Sequence, residues 1–277
     1  VNTQDVTVVV NPTPQLNSGL VGSPICDNSL FTYTPASATA GTSFAWTRPV
    51  VAGISNPAGN GTGNISEVLS NATPLPVTVT YNYTLTANGC SNTQDVTVVV
   101  NLTPQLNSPV TAIVCSGDEF NYTTSTSTPG TVITWTRAQV AGITPNTGSG
   151  TYTINETLTN STSQDINVVY TFTLMANGCT HTQNLTLTVR ATPQIAVIAI
   201  KPEANLCKQT MYQNFGAATP PPAGTNYVWT ASNAVVWAQS GSSAQNALIS
   251  FPNGGTSVVT LTTTVNSTGC ASKATYT

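Results

Sequence analysis

Six cysteines, Cys26, Cys90, Cys115, Cys179, Cys207 and Cys270, carry the most specific chemistry in this sequence. Thiols in such numbers ligate metals, cycle between redox states or form disulfides. No CxxC pair accompanies them, and His181 is the sole histidine. Disulfides are therefore preferred, which places the chain in an oxidising, extracellular or cell-surface setting. Arg48 and Glu67 recur at the same 19-residue spacing as Arg137 and Glu156, which suggests bidentate ion pairs with a structural role. Trp46, Trp135 and Trp229 stand at equivalent positions after Cys26, Cys115 and Cys207 and read as core residues. Trp237 has no such equivalent and is the candidate for an exposed ligand contact. Nine acidic residues are scattered without an Asp-x-Asp-x-Asp loop. Calcium near Asp27 or Asp118-Glu119 is thus an open alternative to a solvated loop, and the solvated loop is preferred. A Ser-His-Asp site needs an oriented base, and nothing orients His181, which reads as an exposed strand residue. No catalytic residue, cofactor site or metal site emerges, and the chain reads as a non-enzyme. Five per cent charged residues, six of them basic, leave no stripe for nucleic acid. No apolar run approaches the roughly 18 residues of a membrane span, so membrane insertion is not expected.

An internal repeat must position these residues. NTQDVTVVVN occurs at Asn2–Asn11 and again at Asn92–Asn101, and TPQLNS follows each copy. Cys26, Trp46 and Cys90 recur 89 residues later as Cys115, Trp135 and Cys179; Cys207, Trp229 and Cys270 mark a divergent third copy. The repeat singles out one of fifteen connectivities, with bridges inside each unit: Cys26–Cys90, Cys115–Cys179 and Cys207–Cys270. Each would close a loop of about 64 residues and stabilise its unit by roughly 4 kcal/mol. Because the second cysteine follows a turn, the bridge is expected near one end of a sandwich. Residues 1–11 read as the closing strand of a preceding repeat, 12–101 as repeat one and 102–190 as repeat two. Residues 191–277 read as repeat three, ending inside its last strand. On this reading the chain is an internal piece of a longer array.

Period-two alternation marks the strands. Val77, Val79, Tyr81, Tyr83 and Leu85 share one face, as do Ile166, Val168, Tyr170, Phe172 and Leu174. Asn88-Gly89 and Asn177-Gly178 then announce hairpins, and Val96–Val100 and Leu185–Val189 close the units. Shorter strands fit Phe31–Tyr33, Phe44–Trp46, Phe120–Tyr122 and Ile133–Trp135. The expectation is an all-β chain of tandem immunoglobulin-like antiparallel sandwiches in a linear array. Asn-x-Ser/Thr sequons at Asn64, Asn71, Asn82 and Asn121 are attributed to the abundance of Asn and Thr.

The segments FAWTRPVVAGISN at Phe44–Asn56, GTGNISEVLSNAT at Gly61–Thr73 and VTYNYTLTANGC at Val79–Cys90 resemble PKD-like domains of Bacteroidota surface proteins. Ile133–Ile143, Ile154–Thr162 and Val169–Cys179 repeat the pattern, while YVWTAS, ALISFP and VNSTGC in the third copy resemble a sister subtype. The resemblance implies an immunoglobulin-like fold, tandem arrays in exported proteins linked to gliding motility and type IX secretion, and spacer or adhesive roles.

Short proline-containing joints at residues 11–14, 101–104 and 190–193 are expected to be stiff. Units of roughly 35–45 Å would then give a rod of roughly 110–130 Å. The preferred function is a structural stalk of a large surface adhesin. The alternatives are a self-assembling filament completed by strand exchange through Val1–Val10, and a carbohydrate- or protein-binding module. Expected partners are neighbouring repeats, other copies of the chain or surface glycans. Sulfur atoms bridging between copies, or one merged core, would overturn self-contained stapled units and the stalk role argued from them.

Overall fold

A computed structural model describes residues 3–191, 198–200, 209–217, 224–238, 245–253, 255–265 and 268–277. Among these residues the chain is all-β and holds no helix. Repeat one forms β1 (Ile25–Cys26), β2 (Ser29–Tyr33), β3 (Ser43–Arg48), β4 (Gly59–Thr62), β5 (Ile65–Leu69), β6 (Val77–Ala87) and β7 (Cys90–Asn101). One sheet runs β1-β7-β6-β3-β4, and β2 pairs with β5 in the other. The long β6–β7 hairpin keeps register from Val77↔Val100 to Ala87↔Cys90. Asn88 and Gly89 turn it with φ of 49° and 81°. Two positive φ values in succession define the tight turn whose twist matches the strands, and Asn-Gly tolerates them best.

Alternation decides what is buried. Val79, Tyr81, Tyr83 and Leu85 on β6, with Val96, Val98 and Val100 on β7, are fully enclosed. Phe31, Trp46, Ile65 and Leu69 complete one cluster with them. Each large apolar side chain contributes roughly 1.5–3 kcal/mol by leaving water. Threonine fills the opposite faces, because its branched Cβ suits a pleated strand while its hydroxyl is solvated.

Repeat two forms β8 (Thr111–Cys115), β9 (Glu119–Thr123), β10 (Val132–Arg137), β11 (Ile143–Thr144), β12 (Gly148–Thr151), β13 (Thr153–Thr157), β14 (Thr159–Asn160), β15 (Ile166–Ala176) and β16 (Cys179–Arg190). Its main sheet has the order β12-β10-β15-β16-β8, and β9 pairs with β13. Repeat three forms β17 (Ile198–Ile200), β18 (Gln209–Ala217), β19 (Thr225–Ala231), β20 (Val235–Ala238), β21 (Asn246–Phe251), β22 (Val259–Val265) and β23 (Ala271–Tyr276). The sheets β17-β18-β21-β20 and β19-β22-β23 enclose Phe215, Tyr227, Trp229, Ile249 and Leu261.

Pairing is antiparallel with a recurrent exception. β1 runs parallel to the end of β7, with Ile25↔Val100 and Cys26↔Asn101, and β8 runs parallel to the end of β16, with Cys115↔Arg190. The chain divides into two compact units. The first comprises Val1–Ser108, Thr124–Thr134 and Thr173–Gln183; the second comprises Pro109–Thr123, Trp135–Phe172 and Asn184–Thr277.

Residues 3–11 differ from expectation, for they form no strand. Val6, Val8, Val9 and Val10 are 75–87% exposed, whereas Val96, Val98 and Val100 of the identical sequence in β7 are buried. The difference lies in the neighbour: β7 pairs along its length with β6, and residues 3–11 pair with no strand among the described residues.

Candidate functional site at the repeat junctions

The disulfides differ from the expected pairing. Cys26 bonds Cys179 and Cys115 bonds Cys270, so each bridge joins one repeat to the next. Cys90 is a free thiol, half-exposed, and Cys207 lies outside the described residues. The parallel strands explain the correction. Cys26 sits beside Asn101 at the end of β7, while Cys90 begins that same strand eleven residues earlier. At about 3.3 Å per residue the two lie roughly 35 Å apart, against the Cα separation of 5.7 Å in the bridge that forms. Cys115 beside Arg190 and Cys179 at the start of β16 repeat this geometry. Bridges within repeats one and two are therefore sterically impossible in this fold, and the expected Cys207–Cys270 pair is replaced by the Cys115–Cys270 bond.

What brings Cys179 to Cys26 is the hairpin of repeat two. The Asn101 side chain donates to the Asn177 carbonyl at 2.9 Å, which holds the Asn177-Gly178 turn against the end of β7. The Leu106 N–H donates to Gln183 Oε1 at 3.0 Å and fixes the next stretch of chain along β16. Cys179, directly after the turn, is then within bonding reach of Cys26. In the second unit Cys270 likewise follows a turn, with Gly269 at φ 74°.

The same contacts recur at the start of the chain without a bridge. Asn11 donates to the Asn88 carbonyl at 2.9 Å, and the Leu16 N–H donates to Gln94 Oε1 at 2.6 Å. Asn92 adds a bond to the Pro14 carbonyl at 3.1 Å. Cys90 Sγ lies 3.8 Å from the Asn11 carbonyl. These residues form a copy of the Asn101/Asn177 junction, with Cys90 where Cys179 stands.

Inside the sandwiches the recurrent charges meet. Arg48 Nε lies 2.9 Å from Glu67 Oε2, and Arg48 Nη2 lies 3.3 Å from Oε1. Tyr81 donates its hydroxyl to Glu67 at 2.7 Å, and Arg48 also donates to the Pro57 carbonyl. Arg137 and Glu156 repeat the pair at 2.9 and 3.0 Å, with Tyr170 on the same carboxylate. Arg48 and Arg137 are almost wholly buried. In repeat one the pair spans the two sheets, from β3 to β5. Burial pushes the Glu67 carboxyl up, but hydrogen bonds from Arg48 and Tyr81 and the Arg48 charge outweigh it and hold it below the usual range. Burial and the Glu67 carboxylate push the Tyr81 hydroxyl far up, so it donates throughout the accessible pH range. The Ala231 position in repeat three offers no guanidinium.

Two devices escaped the sequence reading. Gly61 and Gly150 lie against the indoles of Trp46 and Trp135; a Cβ on Gly61 would stand 2.7 Å from Trp46 Cζ2, and one on Gly150 2.8 Å from Trp135 Cζ2. Gly59 similarly clears the Glu67 carboxylate. The G-x-G spacing on β4 and β12 was the available signal. Asn71, counted among chance sequons, is buried and bonds the Leu75 and Val100 carbonyls and the Thr73 amide and hydroxyl. Asn160 makes the same four bonds to Gln164, Val189 and Thr162. Asn-x-Thr here is a folded motif: the threonine hydroxyl and amide occupy the asparagine oxygen while its N–H groups reach the closing strand.

The remaining candidates have plain positions. Trp46, Trp135 and Trp229 are buried. Trp237 is 65% exposed and meets Tyr212 edge-on with centroids 5.8 Å apart, and Leu248, its partner across β21, is also exposed. Asp27 accepts the Asn71 N–H and the Asn28 side-chain N–H, which makes it a loop brace. His181 is half-exposed on β16.

Among solved structures, an I-band fragment from titin is similar over 96% of this chain and 98% of its own, at 9% identity and a TM-score of 0.39. Extracellular domains 3–5 of Drosophila OTK give 9% identity, the same two coverages and a TM-score of 0.28. No curated protein matches the chain. The model of the PKD-like domain family matches residues 23–106 and again residues 112–195. More than half of the sequence is thus covered by two tandem matches, and the chain belongs to the PKD-like domain family.

Proposed function

We propose that this chain is a load-bearing spacer segment of an extracellular adhesin, built to hold a more distal module away from the cell. One observation carries the reading: each bridge joins the first cysteine of one repeat to the second cysteine of the next. The stalk role argued from separately stapled units is overturned by this pairing, and the role proposed here has another ground. It rests on covalent continuity between successive repeats. A tandem array held only by noncovalent contacts yields joint by joint under tension. Here the bridges bear that load, and neighbouring repeats cannot separate without reduction. Disulfides of this kind persist in oxidising surroundings, which supports an exported location. Weak net charge and solvating Thr and Asn suit a surface that stays soluble without attracting polyions. Antibodies against the chain should decorate intact source cells, and material shed from those cells should retain both bridges on non-reducing peptide maps. Staining confined to permeabilised cells, or fully reduced thiols in shed material, overturns the proposal.

A second reading has its own observation. The exposed Trp237, Tyr212 and Leu248 on one face of repeat three are suited to stacking on sugar rings. Glycan-array binding lost in Trp237→Ala would favour a carbohydrate-binding module; no binding by the parent chain would remove it.

A further inference from the structure

We infer that Cys90 is the receiving half of a third junction bridge, and that its partner is the first-position cysteine of another PKD-like repeat placed ahead of residue 12. The inference rests on the junction reading above and extends it to a site with no bond in this chain. Three observations converge on the same occupant.

The equivalents of Cys90 are both bonded. Cys179 and Cys270 each follow a hairpin turn, and each is joined to the first cysteine of the preceding repeat. The seat around Cys90 is already assembled. Asn11 bonds Asn88 and Leu16 bonds Gln94, as Asn101 bonds Asn177 and Leu106 bonds Gln183. A cysteine placed beside Asn11 as Cys26 is placed beside Asn101 would reach the Cys90 thiol, whose sulfur lies 3.8 Å from the Asn11 carbonyl. The occupant also has a strand waiting for it. Residues 3–11 carry the sequence of β7, and Val6, Val8 and Val10, whose counterparts Val96, Val98 and Val100 are buried, are exposed. A preceding repeat would cover them with its own β6-type strand and would present its first cysteine on a short parallel strand beside Asn11. One body thus satisfies the thiol, the seat and the bare apolar strand.

The chemistry balances as simple oxidation. Two thiols lose two protons and two electrons and form one S–S bond. A small-molecule disulfide such as oxidised glutathione accepts them and leaves as two thiols.

The test extends the full chain. Because Asn2–Asn11 repeats Asn92–Asn101, a copy of residues 12–91 placed ahead of Asn2 in place of Val1 rebuilds a whole repeat. The extended protein is oxidised with glutathione disulfide, alkylated, digested without reduction and mapped by mass spectrometry. A peptide joining Cys26 of the added copy to Cys90 of the original is expected. Alkylation of Cys90 should fall from complete in the parent chain to none, and the added copy's own second cysteine should become the alkylated thiol. A second extension, residues 102–180 in the same place, presents Cys115 as the partner. Cys90 left alkylated in both extensions, or joined to glutathione, overturns the inference while leaving the junction reading intact. If the parent chain lacks the Cys26–Cys179 and Cys115–Cys270 peptides, the junction reading fails and this inference falls with it.

Discussion

Bridges between repeats set how far the chain can be pulled, and single-molecule force spectroscopy reads that length. The bonds Cys26–Cys179 and Cys115–Cys270 overlap in sequence. Once every strand has unfolded, the shortest covalent path runs to Cys26, across to Cys179, back to Cys115, across to Cys270 and out. That path holds about 96 residue steps, so the oxidised chain should stop near 35 nm at about 3.5 Å per residue, against about 97 nm when reduced. Removing one bridge cleanly, with Cys26→Ser and Cys179→Ser together, leaves Cys115–Cys270 and a path of about 121 steps, a gain of only about 8 nm. Bridges within repeats would behave otherwise. The same double substitution would then destroy two bridges and lengthen the path by about 45 nm. Pulling between terminal tags, with free thiols alkylated beforehand, separates the two outcomes. A gain near 45 nm would refute the junction pairing and the continuity on which the spacer role depends.

Other consequences concern the sandwiches themselves. Glu67→Gln removes the charge opposite the buried Arg48 and should cost about 2–3 kcal/mol in urea unfolding followed by tryptophan fluorescence. Since the folded Glu67 carboxyl lies below its unfolded value, its contribution is complete above the ordinary carboxylate range near pH 4.3 and lost as pH falls through the lower folded value. The acid limb of stability against pH should therefore be shallower in Glu67→Gln; an unchanged limb would contradict the assignment. Gly61→Ala forces a methyl into the Trp46 indole and should cost about 1–3 kcal/mol in the same assay, whereas alanine at Gly63 meets open space and is strained only by its φ of 69°. Asn71→Ala strands the Val100 and Leu75 carbonyls and should cost about 2–3 kcal/mol; calorimetry showing no loss would mean water replaces the side chain.

The strands, their hairpins and the repeat were legible in the sequence because each is local. Val77 to Leu85 alternate with period two, Asn88-Gly89 tolerates two positive φ values, and a duplicated segment must fold alike when its neighbours are alike. The Arg48–Glu67 pairing was legible for a related reason: few charges occur, and two copies keep both members at one spacing. Bond partners of the cysteines were not. Spacing along the chain names candidates, but a disulfide forms only between Cα atoms about 5.5 Å apart, and that distance depends on which end of β7 each cysteine occupies. The parallel pairing of β1 with the far end of β7, a long-range backbone contact without a periodic signature, put Cys26 and Cys90 at opposite ends of one strand. Gly61 beneath Trp46 and Asn71 beneath Val100 belong to the same class. Their roles exist only across the sandwich, where two segments distant in sequence leave room for one side chain or none.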